Sequence, residues 1–427
     1  MLSPAVIGCS DSIPAPPVVT PPSPTTIHVK SGITPLLIAY RDGFTDAQLK
    51  PIAWKMVTPA MDAMFTVLGS YSVAVVCNLD ANTVLTWQTL RTVDDDLTDT
   101  VTEPTLNTPC QPPPALSAIT GTASGPGFVH VDADEKATTA STAFTLHALD
   151  GTYDFVASDT TAKKALITRG FKVMGATDAG AAANASTGAS LVQITPSLSN
   201  PPPIPDPKDA KKNTEIVTGQ VDVLTKNNST TATLFISDFN LDPKANKDQL
   251  ITLFALPDSA LTKDDTQNVT FIGTNPQIEG TSISTTRTVS MPFKMGDDVT
   301  KGLTQLTMPG RLATLTVVPG WGFDANRLSV ALPSLPALDD MTIETSGTST
   351  DGAKTAIYEM HISASYFSDT SLARPLFDTD IPGFMAAWKI DFTKAYSRDI
   401  STENDALDDD GNFVDHETSS FHEDVTP

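Results

Sequence analysis

The chain has 427 residues, too many for one ordinary core, so roughly two to four domains are expected. Its 33 prolines and 24 glycines, with abundant Thr, Ser, Val and Ala, favour strands and turns over helices. A net charge of −23 argues against nucleic acid, whose phosphates need Lys and Arg, and no run of 18 apolar residues exists, so no transmembrane helix is expected.

The first segment, residues 1–26, opens with AVIGCSDS and continues as a proline-rich stretch, with six prolines between residues 13 and 24. Such a stretch has no apolar periodicity to bury and reads as an extended spacer. Val6-Ile7-Gly8-Cys9 followed by this tether resembles the start of a bacterial surface lipoprotein. The resemblance implies a lipidated Cys9 as the mature first residue. Ser10 is not the aspartate that retains such proteins at the inner membrane, so an outer-membrane or cell-surface address is implied. Only eight residues precede Cys9, and the basic and apolar regions of the family are missing. A cysteine placed there by chance is the alternative.

Residues 27–108 read as a first β-sandwich module. TPLLIAYRDG is an apolar run ending in a turn. AMFTVLGSYSVAVVC holds two β-rich runs split at Gly69-Ser70, a hairpin signal. TVLTWQTLRTV alternates, with Val84, Thr86, Gln88 and Leu90 on one face and Leu85, Trp87 and Thr89 on the other, which suits burial on one side. The acidic run 94–100 reads as a solvated loop. Of the three cysteines, a lipidated Cys9 would leave Cys77 and Cys110 as a disulfide pair. Two unpaired buried thiols are the alternative.

Residues 109–195 follow the proline cluster PCQPPP and carry the rhythm of a second sandwich. AFTLHAL alternates Phe144, Leu146 and Ala148, Asp150-Gly151 turns, and TYDFVAS alternates Tyr153, Phe155 and Ala157. Phe144-Thr145-Leu146 with Gly151-Thr152-Tyr153 resembles the signature hairpin of carboxypeptidase-regulatory, or transthyretin-like, β-sandwiches. That resemblance implies a fold and says little about activity. Asp132 to Glu135 reads as a plain acidic turn.

Residues 196–213, with six prolines from 196 to 207, read as a stiff linker. Residues 214–397 hold about ten short strand-like runs, one large or two small β-sandwiches. EIVTGQVDVLT and TATLFISDF flank a polar turn, and HISASYF places His361 in an alternating strand. Residues 398–427 form an acidic tail. From residue 399 onward it has ten Asp or Glu and no Lys or Arg, and is expected to be disordered or loosely attached. The whole is an all-β chain of several β-sandwich domains joined by Pro-rich linkers, with disordered termini.

Chemistry is sparse. There is no G-x-S-x-G elbow, no H-E-x-x-H, no Walker sequence and no C-x-x-C-H. No cofactor is expected apart from Ca²⁺. In an EF-hand register with Gly411 at position 6, Asp408, Asp410 and Glu417 fall on ligand positions, while Ala406 occupies the first and cannot ligate. The alternative is a solvated acidic turn. Trp54, Trp87, Trp321 and Trp388 are core residues or sugar platforms, with Trp321, between glycines in VPGWGFD, the best candidate platform for a ligand. The reading is a non-enzymatic cell-surface or envelope lipoprotein, a display, adhesion or ligand-binding module for an unknown protein or glycan, with no nucleic-acid partner. The alternatives are a subunit of an extracellular filament or other oligomer, and a carbohydrate-active hydrolase on a β-sandwich.

Overall fold

The computed structural model describes residues 24–43, 52–93, 103–112, 114–199, 216–239, 249–275, 283–293, 306–307, 315–317, 328–330, 340–363, 379–407 and 413–426. Strands dominate, with four short 3₁₀ turns between them. Among the described residues, no helix is long and apolar enough to cross a membrane.

The first seven strands are β1 (Thr25–Lys30), β2 (Leu37–Asp42), β3 (Lys55–Val57), β4 (Asp62–Val67), β5 (Ser70–Asn78), β6 (Thr83–Thr92) and β7 (Thr105–Asn107). They divide between two sheets. β4-β1-β7 is a small sheet, and β6-β5-β2-β3 ends a much longer one. Ile27, Val29, Phe65 and Leu106 of the small sheet pack against Ile38, Val73, Val75, Leu85 and Trp87 of the long one. Gly69-Ser70 therefore does not close a hairpin. β4 pairs with β1 while β5 pairs with β2 and β6, so the turn carries the chain from one sheet to the other.

The expected one-sided burial of β6 is also corrected, because every residue from Val84 to Leu90 is buried. Leu85 and Trp87 face the small sheet. Val84, with Ala74 and Val76, packs on the other side against Tyr358, Ile381, Trp388 and Ile390. A strand interior to a sheet covered on both faces loses its polar phase, so Thr86 and Gln88 end up buried as well.

The second group is β8 (Ser117–Thr122), β9 (Gly127–Val131), β10 (Asp134–Thr138), β11 (Ala143–Ala148), β12 (Gly151–Asp159), β13 (Lys164–Val173), β14 (Thr177–Asp178) and β15 (Ala189–Ser190). It forms a sandwich of β10-β9-β12-β13-β15 against β11-β8-β14. Ile119, Phe144 and Leu146 meet Val129, Val131, Phe155 and Val173 between the sheets. The alternation read from AFTLHAL is the buried phase of β11. Its link to β12 is not a hairpin, however. β11 pairs with β8 and β12 pairs with β9 and β13, so Asp150-Gly151 is again a crossing between sheets. β9 and β10 do form a tight hairpin, turning through Asp132 and Ala133 with Asp132 at φ 52°, a conformation that Asp tolerates better than most residues.

The remaining strands are β16 (Val192–Ile194), β17 (Ser197–Ser199), β18 (Ile216–Leu224), β19 (Ala232–Phe239), β20 (Gln249–Leu250), β21 (Leu253–Ala255), β22 (Thr266–Asn275), β23 (Ile283–Phe293), β24 (Leu306–Thr307), β25 (Leu315–Val317), β26 (Leu328–Val330), β27 (Asp340–Thr348), β28 (Thr355–Ser363), β29 (Tyr396–Leu407) and β30 (Phe413–Val425). Most join one twelve-stranded sheet in the order β19-β18-β22-β23-β30-β29-β27-β28-β6-β5-β2-β3. The first module is thus continuous with the C-terminal region, through the parallel pairing of β6 with β28.

The expectation of a linker from residue 196 is corrected at its start. β17 pairs with β20 and β24, and Leu198 is fully buried. Residues 200–215 lie outside the described residues. The tail is corrected too. β29 and β30 form a long antiparallel pair inside the sheet, with β30 held on its other side by β23. In β29 Asp399 and Glu403 alternate with buried Ile400 and Thr402, a pattern that suits a strand despite the acidic composition.

Candidate functional site: the polar face of the long sheet

The side-chain alternation of a strand sorts the long sheet into two faces. One is mostly apolar and buried, with the buried polar groups of Arg287, Arg398 and Thr402 among its hydrophobic residues. Val217, Val221, Val269, Phe271 and Val289 occupy it at one end, then Ile400, Met341, Ile343, Met360 and Ile362. The other face is apolar only where the small sheet covers it. From β28 to β18 it is built of hydroxyls, carboxylates and imidazoles, half-exposed except towards β18, where Thr270 and Asp222 are buried.

The register puts these groups in rows. Trp87 of β6 pairs with Glu359 of β28, Glu359 with Glu344 of β27, Glu344 with Asp399 of β29, and Asp399 with His422 of β30. The neighbouring row holds Thr89, His361, Thr342, Ser401, Ser420 and Thr286. Directly paired residues have Cβ atoms about 5 Å apart, so three carboxylates and two imidazoles share one compact patch.

The patch has internal order. The His361 Nε2 lies 2.5 Å from Glu359 Oε1, and its ring sits 6.0 Å from the Trp87 ring. His422 Nδ1 lies 2.6 Å from Asp399 Oδ1, with Asp424 3.5 Å from the other ring nitrogen. Between these two pairs stands Glu344. Desolvation, reinforced by the charges of Glu359 and Asp399, raises its pKa above the ordinary carboxylate value. The hydrogen bond to Asp399 raises that of His422. The outer carboxylates are each matched by an imidazole and the central one is not. The patch therefore offers oxygen acceptors and ring donors on a flat surface, a chemistry suited to the hydroxyls of a glycan or the polar groups of a protein.

The residues singled out from sequence fall elsewhere. Cys77 and Cys110 are joined by a disulfide, and both are fully buried in the first module's core. Cys9, Trp321, Asp408 and Asp410 lie outside the described residues. Glu417 lies on β30, paired in register with Val289 of β23 and Asn404 of β29. The segment flanking the expected calcium loop is thus strand on both sides, in place of the two helices of an EF-hand. Among the described residues, no group of three His, Cys, Asp or Glu is placed to hold a metal ion. Trp54, Trp87 and Trp388 are all buried, which removes them as sugar platforms.

Sequence reasoning passed over Glu344, Glu359, Asp399 and His422 as site residues. Each lies on the polar phase of an alternating strand, and that signal was readable. Their convergence depends on strand order, which was not.

Compared with protein-family models, with characterised proteins and with solved structures, the chain gives no match.

Proposed function

We propose that this chain is a non-enzymatic cell-surface module that presents the polar face of its long sheet to a protein or glycan ligand, anchored through lipid on Cys9 to an outer membrane. The observation that carries the ligand reading is the Glu359–Glu344–Asp399–His422 row on a half-exposed stretch of one face, in a sheet whose opposite face is buried and mostly apolar. The Cys77–Cys110 bridge supports export, because such bonds persist in oxidising compartments. The test is binding of the full chain to arrays of glycans and surface proteins. Glu344→Lys with Asp399→Lys should lose at least about tenfold in affinity, the scale of one 1.4 kcal/mol contact set. Mass spectrometry of protein expressed from its native gene should find an acylated Cys9 at the N-terminus. Binding unaffected by the double change removes the ligand face, and an unmodified Cys9 removes the anchor.

A second reading, a subunit of an extracellular assembly, is favoured by one observation. β3 and β4 are edge strands of their sheets, and Met56, Met61, Met64 and Leu68 are exposed on or beside them. Open edges beside apolar side chains are where sheets of different molecules join. Sedimentation of the wild-type chain should then show concentration-dependent association that Met64→Lys abolishes. A monomer at every concentration rejects this reading.

A further inference from the structure

The second sandwich docks against the end of the long sheet through a mixed interface. Val156 and Ala165 enter the apolar cluster of Val217, Val221 and Leu234. Around them lies a set of polar bonds between the two parts. Ser229 N–H donates to Asp132 Oδ1 at 3.1 Å, and Asp154 N–H to Asn228 Oδ1 at 3.0 Å. Thr233 gives Glu135 two bonds, from its N–H at 2.6 Å and its hydroxyl at 2.8 Å.

Inside this junction are three titratable groups. His130 of β9 is 1% exposed, and its ring lies beside the backbone of Asp132 and Thr230 without a well-formed hydrogen bond to either nitrogen. Its Nδ1 is 3.8 Å from Glu135 of β10, whose side chain is 27% exposed. Asp222 of β18 is 4% exposed. It accepts from Gln220 Nε2 at 2.5 Å and, more weakly, from the Thr270 hydroxyl at 3.4 Å. The same Gln220 amide donates to the Thr233 hydroxyl that bonds Glu135, so one chain of contacts links the two carboxyls. Neither carboxyl forms an ion pair with a Lys or Arg among the described residues. The nearby Arg169 is engaged by Asp154 and Asp265. Asp132 and Asp134 are the other charges facing His130.

We propose that His130, Glu135 and Asp222 form a proton-compensated junction, in which the docked modules keep a proton on the buried carboxyl and none on the imidazole, damping the pH dependence of docking in the mildly acid range. The physical reason is desolvation. An ion taken into this junction without an opposite charge loses hydration that nothing replaces, and each group has a neutral form available. The perturbed equilibria agree. Burial pushes Asp222 up to about 7 and raises Glu135, while it lowers His130 against the pull of nearby backbone groups and of Asp132 and Asp134.

The signs oppose one another. For Asp222 the docked value lies above the free one. Its stabilisation is therefore complete below about 4 and is lost as pH rises through about 7. For His130 the docked value lies below the free one. Its neutral form costs nothing at high pH and becomes a penalty as pH falls below 6.5. Over the shared window the undocked state would hold its proton on the imidazole and the docked state on the carboxyl. For these two groups the number of protons bound is the same, so their slopes cancel, leaving only the contribution of Glu135, which like Asp222 favours docking as pH falls.

The test is hydrogen exchange of the full chain across pH about 4.5 to 8, read as protection factors at the Asp154, Ser229 and Thr233 amides, whose bonds cross the junction. Wild-type protection should change less with pH below about 6.5 than that of a variant lacking either group. In Asp222→Asn it should fall by up to about tenfold per unit as pH drops below 6.5, because Asp222 no longer offsets the imidazole penalty. In His130→Leu it should rise by a similar factor as pH drops from about 7. Opposite tilts support the proposal, and parallel profiles in all three proteins overturn it. Infrared spectroscopy supplies a second readout. A protonated-carboxyl C=O band at pH about 6 that disappears in Asp222→Asn supports the proposal, and a band that is absent or survives that change overturns it.

Discussion

Replacing Cys77 and Cys110 together by alanine should lower the unfolding free energy by roughly 3–4 kcal/mol. The bridge closes a loop of 33 residues that contains β6 and β7. Cutting it frees that loop in the unfolded chain, and the chain-entropy model gives a cost of this size. The bridge also fixes geometry. Cys77 ends β5 in the long sheet, while Cys110 follows β7 in the small one, and the backbone carbonyl of Cys110 accepts from Gly32 and Ile33 just after β1. The disulfide thus pins the two sheets of the first module where β7 contributes only three residues of parallel pairing to β1. Urea titration followed by tryptophan fluorescence would report the change, since Trp87 lies in the same core. Wild-type protein under reductant should shift to the variant's midpoint. Coincident midpoints for all samples without reductant would contradict the argument.

Arg169→Leu should cost about 3 kcal/mol, the range for removing one partner from buried ions. Arg169 donates to Asp154 at 2.8 Å and to Asp265 at 3.0 and 2.5 Å, and both carboxylate side chains are almost wholly buried. Asp154 belongs to the sandwich and Asp265 precedes β22, so one guanidinium ties the two parts together. Its loss would leave two buried negative charges facing each other. Lys226→Ala, which removes an exposed pair with Asp264, should change stability by less than about 1 kcal/mol.

The two variants should also differ in acid. Hydrogen bonds from Asn227, Arg169 and Gly170 outweigh desolvation at Asp154, and bonds from Arg169 and Thr262 do so at Asp265. Both carboxyls are therefore held below the usual carboxylate value. A depressed carboxyl contributes stability above its unfolded pKa near 4 and loses it as pH falls through the folded value. Wild type should lose this contribution only below pH about 4. Arg169→Leu should lack it at neutral pH and show a shallower acid limb in thermal melts against pH.

These two sites show how far the sequence could be read. The all-β class followed from alternation and turn chemistry, which are local properties. So did the buried phase of β11 and the strand pair around the polar turn at Lys226 to Thr230. What resisted was pairing. Gly69-Ser70 and Asp150-Gly151 both look like hairpin turns, yet each sits where the chain leaves one sheet for another, and a turn dipeptide does not encode which strand comes next to it. Arg169 is an ordinary surface residue by sequence, and Asp265 lies almost a hundred positions away. The acidic tail misled through composition. Its ten acids suggested repulsion, but Asp399 and Glu403 lie along β29, whose other phase includes buried Ile400 and Thr402. The Glu359–Glu344–Asp399–His422 row lay hidden for the same reason, since its members come from four strands aligned only by register.

The parallel pairing of β6 with β28 has a consequence for synthesis. Thr83 sits beside Thr355, so β6, the edge strand of the N-terminal module's part of the long sheet, has an unfilled ladder until the last quarter of the polypeptide has emerged. A ribosome-bound or translocating intermediate would carry that naked ladder for most of its existence, flanked by the valines of β5. Assembly of this sheet is therefore post-translational. Truncations ending before residue 355 should aggregate instead of yielding a shortened native fold.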